Sequence, residues 1–226
     1  MPAKANALKI SRHFTESGKD PFDKLSWSKK DVEIRNFDGT VAFSMKGVTL
    51  PDNYSQVASN VLAQKYLRKA GIPKKLRKVK EKAVPTWLQK SVPDIKAMED
   101  LPESEKFGEE VDGKQTFRRL AGTWTYWGWK HGYFASEEDA KSYFDEMCFM
   151  LAFQMVSPNS PQWFNTGLNW AYGIEGPAQG HYFVNPKTEE LERSVNAYEH
   201  PQPHACFIQS VSDDLVNEGG IMDLWT

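Results

Sequence analysis

The feature that most constrains the fold of this chain is a run of apolar residues at helical spacing, which ends at a proline. Ser136 precedes three acidic residues, which is typical of a helix start because the hydroxyl accepts a backbone N–H and the acids face the positive end of the helix dipole. Pro158 cannot continue a helix, so the pattern predicts one amphipathic helix that ends before it. Its apolar residues recur every three or four positions: Ala140, Tyr143, Phe144, Met147, Cys148, Leu151 and Met155.

The two cysteines are too few for a disulfide framework, and each is therefore judged as a free thiol. Cys148 lies on the apolar stripe of the helix. A thiol there usually behaves as a small buried hydrophobe, so we expect Cys148 to be structural. Cys206 lies in the apolar segment 204–211, which we predict as a strand.

Composition argues against two classes of function. The formal net charge of -2 gives no whole-chain attraction for nucleic acid or anionic membranes. No window approaches the roughly 20 apolar residues of a membrane span, and the N-terminus lacks the apolar core of a signal peptide. We therefore expect a cytoplasmic protein without membrane contact and without direct nucleic-acid binding.

The first part of the chain alternates between turn signals and short regular patterns. Residues 1–30 are polar and predict a tail or an extended arm. Residues 32–50 predict a β hairpin around an Asp-Gly turn. A helix is predicted over residues 53–70, with Asp52 or Ser55 as its cap.

Residues 74–114 divide into a basic run at 74–82 and an acidic half. The favoured interpretation is a solvated linker whose halves attract each other weakly. A nucleic-acid patch is the alternative, and it is disfavoured because Trp87 is the only aromatic residue in the basic part, residues 74–90. A domain boundary near 110 follows, and the aromatic-rich residues 116–133 predict a packed helix and turn.

Beyond Pro158 the sequence is dominated by turn residues and short strands. Residues 158–167 hold two prolines with Asn and Ser between them and predict a loop. Residues 180–195 predict a second hairpin. The strand at 204–211 is followed by a predicted helix that begins at Asp213-Asp214 and reaches the end of the chain without a terminating signal.

The residues alone leave the role of Cys206 open. It could be a core residue, a redox thiol, or a nucleophile with His204 or His200 as its base. Alternatively, His200, His204 and Cys206 could ligate zinc with His181 as the fourth ligand, although their spacing matches no standard zinc pattern.

Six runs of sequence are specific enough to carry a family resemblance. They are SPNSPQWFNTG at 157–167, WAYGI at 170–174, YEHPQPHACFIQSV at 198–211, GTWTYWGW at 122–129, SQVA at 55–58 and NEGGIMDLW at 217–225. Together they resemble the adenosylcobalamin-dependent, class II ribonucleotide reductases over nearly the whole chain.

The resemblance implies an α/β fold. An N-terminal, mainly helical domain with a small β hairpin is expected to lead into the first strand and helix of a ten-stranded α/β barrel that is cut off at residue 226. The expected divisions are a polar tail or arm at 1–30, a hairpin, helix and charged linker at 31–110, a helical, aromatic-rich domain with the substrate loop at 111–200, and the start of the barrel at 201–226.

The resemblance also implies radical reduction of ribonucleotides, with diphosphates as the expected substrates. Cys206 resembles one member of the family's reducing cysteine pair. Ser160, and Ala205 with Cys206, resemble substrate-contacting positions, and Asp213 matches the region where a deoxynucleotide effector binds. No metal ligand is assigned.

The cofactor implied is adenosylcobalamin, whose binding surface is expected mostly outside this chain. The implied partners are a ribonucleotide, a deoxynucleotide effector, a thioredoxin-like reductant and the remainder of the barrel. The radical cysteine and the second reducing cysteine of the family have no counterpart here, so the chain is expected to be an N-terminal fragment without turnover of its own. A stand-alone module that binds nucleic acid or a reductase partner is the alternative from another class.

Overall fold

The computed structural model describes residues 7–178 and 180–225, and a long antiparallel hairpin opens its regular structure. β1 (Trp27–Arg35) pairs with β2 (Val41–Pro51), so the predicted hairpin is confirmed, with longer strands than the sequence indicated. The Asp38 carboxylate holds the turn by accepting the Thr40 N–H at 2.9 Å. One face of the hairpin is buried against the core, through Val32, Met45, Val48 and Leu50.

The helix predicted over residues 53–70 is confirmed only in its first part. α1 (Gln56–Val61) begins after Ser55, whose hydroxyl accepts the Ala58 N–H at 3.1 Å. A π-helical segment, Leu62–Tyr66, continues it.

The helix ends early because side chains from elsewhere take the backbone groups that a further turn would use. Arg119 donates to the Tyr66 carbonyl at 3.1 Å, and the Arg68 N–H donates to the Glu110 carboxylate at 2.8 Å. Leu67 between them is extended. A tertiary interaction thus overrides the local helical pattern at this point.

Short strand pairs and single helical turns fill residues 72–108. β3 (Ile72–Pro73) pairs with β6 (Phe107–Gly108), and β4 (Leu76–Lys78) pairs with β5 (Ser91–Pro93), all antiparallel. Between them lie α2 (Glu103–Lys106) and the 3₁₀ turns Thr86–Leu88 and Lys96–Met98. Leu88 and Met98 are completely buried, so the interpretation of this segment as a solvated linker is wrong at these residues.

Two longer helices form the centre of the core. α3 (Gly113–Lys130) is capped by Asp112, and α4 (Glu137–Ala152) is capped by Ser136, as its sequence predicted. Cys148 is fully buried on α4, and burial raises the pKa of its thiol well above the usual value, in line with the structural role expected of it. None of the described helices is long and apolar enough to cross a membrane.

The segment 8–15 runs along α4. Ile10 donates its N–H to Asp139 at 2.7 Å, and Arg12 pairs with Asp145 at 2.6 Å. This part of the predicted polar arm therefore lies against the core.

Two short helices and a second hairpin follow. They are α5 (Ser160–Asn165), α6 (Leu168–Tyr172), β7 (Tyr182–Val184) and β8 (Leu191–Arg193). β7 and β8 pair antiparallel, which confirms the hairpin predicted over residues 180–195.

The strand predicted at 204–211 and the helix predicted after Asp213 are wrong for the described residues. Residues 204–211 form no strand and are exposed, and the only helical turn beyond them, in the part of the chain that is described, is the 3₁₀ turn Asp223–Trp225. A strand needs hydrogen-bonded neighbours, and this segment has none among the described residues. The described sheets are pairs of strands, so no barrel is present in them.

We predict that Gly122→Ala lowers the free energy of unfolding by about 1–3 kcal/mol through overpacking. A Cβ at this position of α3 would overlap the Trp170 ring, which outweighs the roughly 1 kcal/mol that alanine gains over glycine inside a helix. Denaturant titration measures the change. The matched control is Gly108→Ala, whose Cβ meets only the Lys74 side chain at 3.6 Å, and equal stability of the two variants would contradict the prediction.

Candidate active site

A buried ion pair lies at the centre of the candidate site. Arg119 on α3 and Glu110 just before α3 are 1% and 0% exposed, and the Arg119 Nε lies 2.9 Å from the Glu110 Oε1. A charge without a partner in such a place would be very costly, so each of these two side chains requires the other.

The Arg119 guanidinium holds residues 157–167 against the rest of the core. These residues are called the loop 157–167, although α5 forms their middle and the prediction of a loop is wrong there. The guanidinium donates to the carbonyl of Thr166 at 2.7 Å and to the carbonyl of Trp163 at 2.9 Å. It also donates to the carbonyl of Tyr66, the last residue of the π-helical segment. The Arg119 side chain thus holds together two segments that are distant in sequence, the end of the π-helical segment and the loop 157–167.

The Glu110 carboxylate accepts three further hydrogen bonds from residues around the ion pair. It accepts the Thr116 hydroxyl, the Tyr172 hydroxyl and the Arg68 N–H, each at 2.8 Å. Burial alone would raise the pKa of Glu110, but the charge and hydrogen bonds of Arg119, with these other donors, hold that pKa below its usual value. Glu110 is therefore an anion in the folded protein at neutral pH.

The loop 157–167 ends at a glycine whose backbone conformation and position exclude other residues. Gly167 has a φ of +89°, and a Cβ there would overlap the Arg119 carbonyl oxygen. Only glycine fits both the left-handed conformation and the close approach to α3.

Ser160 is the first residue of α5, on the partly exposed side of this loop. The Asn159 side chain caps the helix, so the Ser160 hydroxyl is not used as the cap. That hydroxyl lies 3.4 Å from the Tyr66 hydroxyl, and the Tyr66 ring stacks on Trp163 at 5.0 Å. Ser160 is therefore held in place by neighbours that Arg119 also binds.

The other site residues from the sequence are not brought to Ser160. Ala205, Cys206 and Asp213 are exposed, and among the described residues none of them has a hydrogen bond or ion pair with the loop 157–167. The turn beyond residue 211 is held by the carboxylate of Asp214, which accepts the Val216 N–H at 2.9 Å. Asp213 does not take that role.

The histidines near Cys206 are also dispersed. His181 Nε2 lies 2.8 Å from the His200 carbonyl oxygen, and the His200 ring stacks on Phe183 at 3.8 Å. Within the described residues, no group of three or more His, Cys, Asp or Glu side chains is arranged to hold a metal ion. The zinc alternative therefore finds no support in the geometry.

Sequence reasoning missed Arg119, Tyr66 and Tyr172, and it placed Glu110 in the solvated acidic half of the linker. Glu110 is completely buried, so that placement is wrong. One signal was present: Arg118 and Arg119 are the charged residues of the segment 116–129, whose other members are aromatic, apolar or small, and a charge in such surroundings requires a partner.

The family model described as class II vitamin B12-dependent ribonucleotide reductase matches residues 28–154. The chain belongs to this family. The match includes all but the first residue of β1, all of α3 and α4, and both members of the buried ion pair.

Individual relatives in this reductase family extend the similarity to most of the chain. The vitamin B12-dependent ribonucleotide reductases of Bradyrhizobium diazoefficiens and Agrobacterium fabrum are each 59% identical over 96% of this chain. That of Rhodopirellula baltica is 27% identical over 91% of it. The chain spans only 17% of the length of the first two relatives and 16% of the third.

Replacing Arg119 with methionine is expected to lower the free energy of unfolding by about 3–5 kcal/mol, because it leaves the Glu110 charge buried without its partner. Denaturant titration at neutral pH is the measurement. Lys141→Met, which breaks the exposed Glu137–Lys141 pair at 2.9 Å, is the matched control and should cost no more than about 1 kcal/mol. Similar losses in both variants would contradict the assignment.

The lowered pKa of Glu110 predicts a pH dependence with a definite sign. The ion pair contributes its full stability above the ordinary glutamate pKa of 4.5 and loses it as the pH falls through the lower pKa of the folded state. The difference in free energy of unfolding between the wild type and Glu110→Gln should therefore shrink below about pH 4.5. The exposed Glu103→Gln is the control, and a difference for Glu110→Gln that stays constant down to acid unfolding would refute the prediction.

Proposed function

We propose that this chain supplies the substrate loop and one redox cysteine to a reductase that converts ribonucleotides to deoxyribonucleotides, with diphosphates as substrates. The observation that carries the proposal is the loop 157–167 itself. Buried bonds from Arg119 fix its backbone, while Ser160 stays partly exposed with its hydroxyl outside the helix cap. A preorganised hydroxyl of this kind suits contact with a polar substrate.

Cys206 suits the role of a reducing thiol because it is exposed. Replacing a ribose 2′ hydroxyl by hydrogen needs two electrons and two protons, and the oxygen leaves as water. Two thiols supply the two electrons and the two protons when they join into a disulfide. An external dithiol then reduces that disulfide by thiol–disulfide exchange. Cys206 is proposed as one of the two. Cys148 is fully buried and is not proposed as its partner.

Adenosylcobalamin is the proposed cofactor, on the strength of the family assignment. The described residues do not fit it as an enclosed site: the most pronounced cavity among them, of about 660 Å³, is of the size used for ordinary small ligands and is too small for a corrinoid. No step of the chemistry is therefore assigned to this chain's residues through the cofactor.

The remaining partners are proposed with the function. They are a deoxynucleotide effector near Asp213, a thioredoxin-like reductant for Cys206, and the remainder of a ten-stranded barrel. The exposed apolar residues of the C-terminal segment, Phe207, Ile208, Leu215, Val216 and Trp225, are consistent with a segment that packs on further structure. Without that structure we expect this chain to have no turnover.

The test places this chain in a complete reductase. The matching 218 residues of the Bradyrhizobium protein are replaced by this sequence, and deoxynucleotide formation is measured with adenosylcobalamin, a dithiol and a ribonucleoside diphosphate. We expect turnover in the chimera, loss to background in Cys206→Ser, and a marked loss in Ser160→Ala. Cys148→Ser is the matched thiol control and should retain activity. Full turnover by Cys206→Ser, or a folded chimera without activity, would contradict the proposal.

A further inference from the structure

The hydroxyl of Tyr66 lies beside the hydroxyl of Ser160, and among the described residues neither has another hydrogen-bond partner. Both residues are partly exposed, so a ligand can reach this pair. Their oxygens are 3.4 Å apart, which is longer than the roughly 2.8 Å usual for two hydroxyls. Such bonds at functional sites often shorten when a substrate is bound. Within the described chain, Tyr66 is thus the side chain placed to orient the Ser160 hydroxyl.

The position of Tyr66 is set by the π-helical segment Leu62–Tyr66, of which it is the last residue. The Leu67 N–H donates to the Leu62 carbonyl at 3.0 Å. This turn holds one residue more than an α-helical turn, so the side chain at its end points in a different direction from that of a continued α-helix. The Tyr66 ring stacks on Trp163 at 5.0 Å as a result, and its hydroxyl faces Ser160. Insertions of this kind are frequent at functional sites.

A single nitrogen atom of Arg119 holds the backbone on both sides of the hydroxyl pair. Its Nη2 donates to the Tyr66 carbonyl at 3.1 Å and to the Trp163 carbonyl at 2.9 Å. Trp163 belongs to α5, which begins at Ser160. Because the guanidinium is buried, water does not compete for these bonds. The two hydroxyl groups are therefore carried by segments that are fixed relative to each other.

The direction of the hydrogen bond decides what Ser160 can offer to a ligand. A hydroxyl group has one hydrogen to donate and two lone pairs that accept. When Tyr66 donates to the Ser160 Oγ, the Ser160 hydrogen stays free for an acceptor such as an oxygen of a ribonucleotide. A phenol donates more readily than an alcohol, because the ring takes up part of the negative charge on its oxygen. This favours Tyr66 as the donor.

We propose that Tyr66 is a positioning residue, which donates to Ser160 and thereby orients the Ser160 hydroxyl toward an oxygen of the ribonucleotide. The inference rests on the proposed function, because Tyr66 acts only if Ser160 contacts the substrate. The Tyr66 ring serves packing through Trp163, and its hydroxyl serves substrate binding. Tyr66 itself takes no part in the reaction.

Kinetics of Tyr66→Phe in the chimera with the Bradyrhizobium reductase test this role. Phenylalanine keeps the ring that stacks on Trp163 and removes only the hydroxyl. We expect the KM for a ribonucleoside diphosphate to rise about fivefold, as the loss of roughly 1 kcal/mol implies, while kcat stays within about twofold. Calorimetric binding of the same diphosphate, measured without a dithiol, should weaken by the same factor.

A double-mutant cycle with Ser160→Ala shows whether Tyr66 acts through Ser160. In the Ser160→Ala background, Tyr66→Phe should change KM by less than about twofold, because the hydroxyl that it orients is gone. The matched control is Tyr54→Phe. It removes a hydroxyl that donates to the Leu151 carbonyl, also at 3.4 Å, and it should leave KM and kcat unchanged.

Two results would overturn the inference and leave the proposed function standing. One is a wild-type KM in Tyr66→Phe while Ser160→Ala is impaired, and the other is an equal rise in KM for Tyr66→Phe in both backgrounds. An unimpaired Ser160→Ala would contradict the proposed function and the inference with it. Thermal unfolding of each variant separates these outcomes from a loss of fold.

Discussion

The buried Arg119–Glu110 pair is the interaction on which the rest of the structure depends. Its two charges are almost completely removed from water, and such a pair is stable only when its remaining donors and acceptors are also satisfied. Here they are satisfied by backbone and side-chain groups from four segments: the end of the π-helical segment, the first turns of α3, the loop 157–167 and α6. The cost of burying the charges is offset by joining these segments in one geometry.

This arrangement has a direct consequence for the proposed function. The loop that presents Ser160 is fixed at two of its carbonyls, which accept bonds from a buried guanidinium. The segment around Cys206 is the opposite: it is exposed and has no strand neighbour among the described residues. One half of the proposed site is thus preorganised by this chain, and the other half depends on structure that these residues do not form.

Local patterns in the sequence predicted the elements whose stability is local. The capped helix α4, the hairpins around an Asp-Gly turn and around residues 185–190, and the burial of Cys148 all follow from spacing, caps and turn chemistry. The early end of α1 could not be predicted, because it is imposed by Arg119 and Glu110, which lie more than 40 residues away.

The errors in the C-terminal segment have a related cause. Residues 204–211 have the composition of a strand, but a strand exists only with neighbours, and sequence composition does not supply them. Family resemblance identified the chain correctly, and it implied a barrel that the described residues do not contain. The same resemblance gave no indication of the ion pair that holds the substrate loop.

Hydrogen exchange of individual backbone amides tests the central claim most directly. In the wild type, the amides of residues 163–167 should exchange slowly, as part of the unit that Arg119 holds together. In Arg119→Met they should exchange much faster, while amides in the middle of the β1–β2 hairpin keep their relative protection. Unchanged exchange at 163–167 in that variant would show that the loop is held by other contacts and would contradict the account.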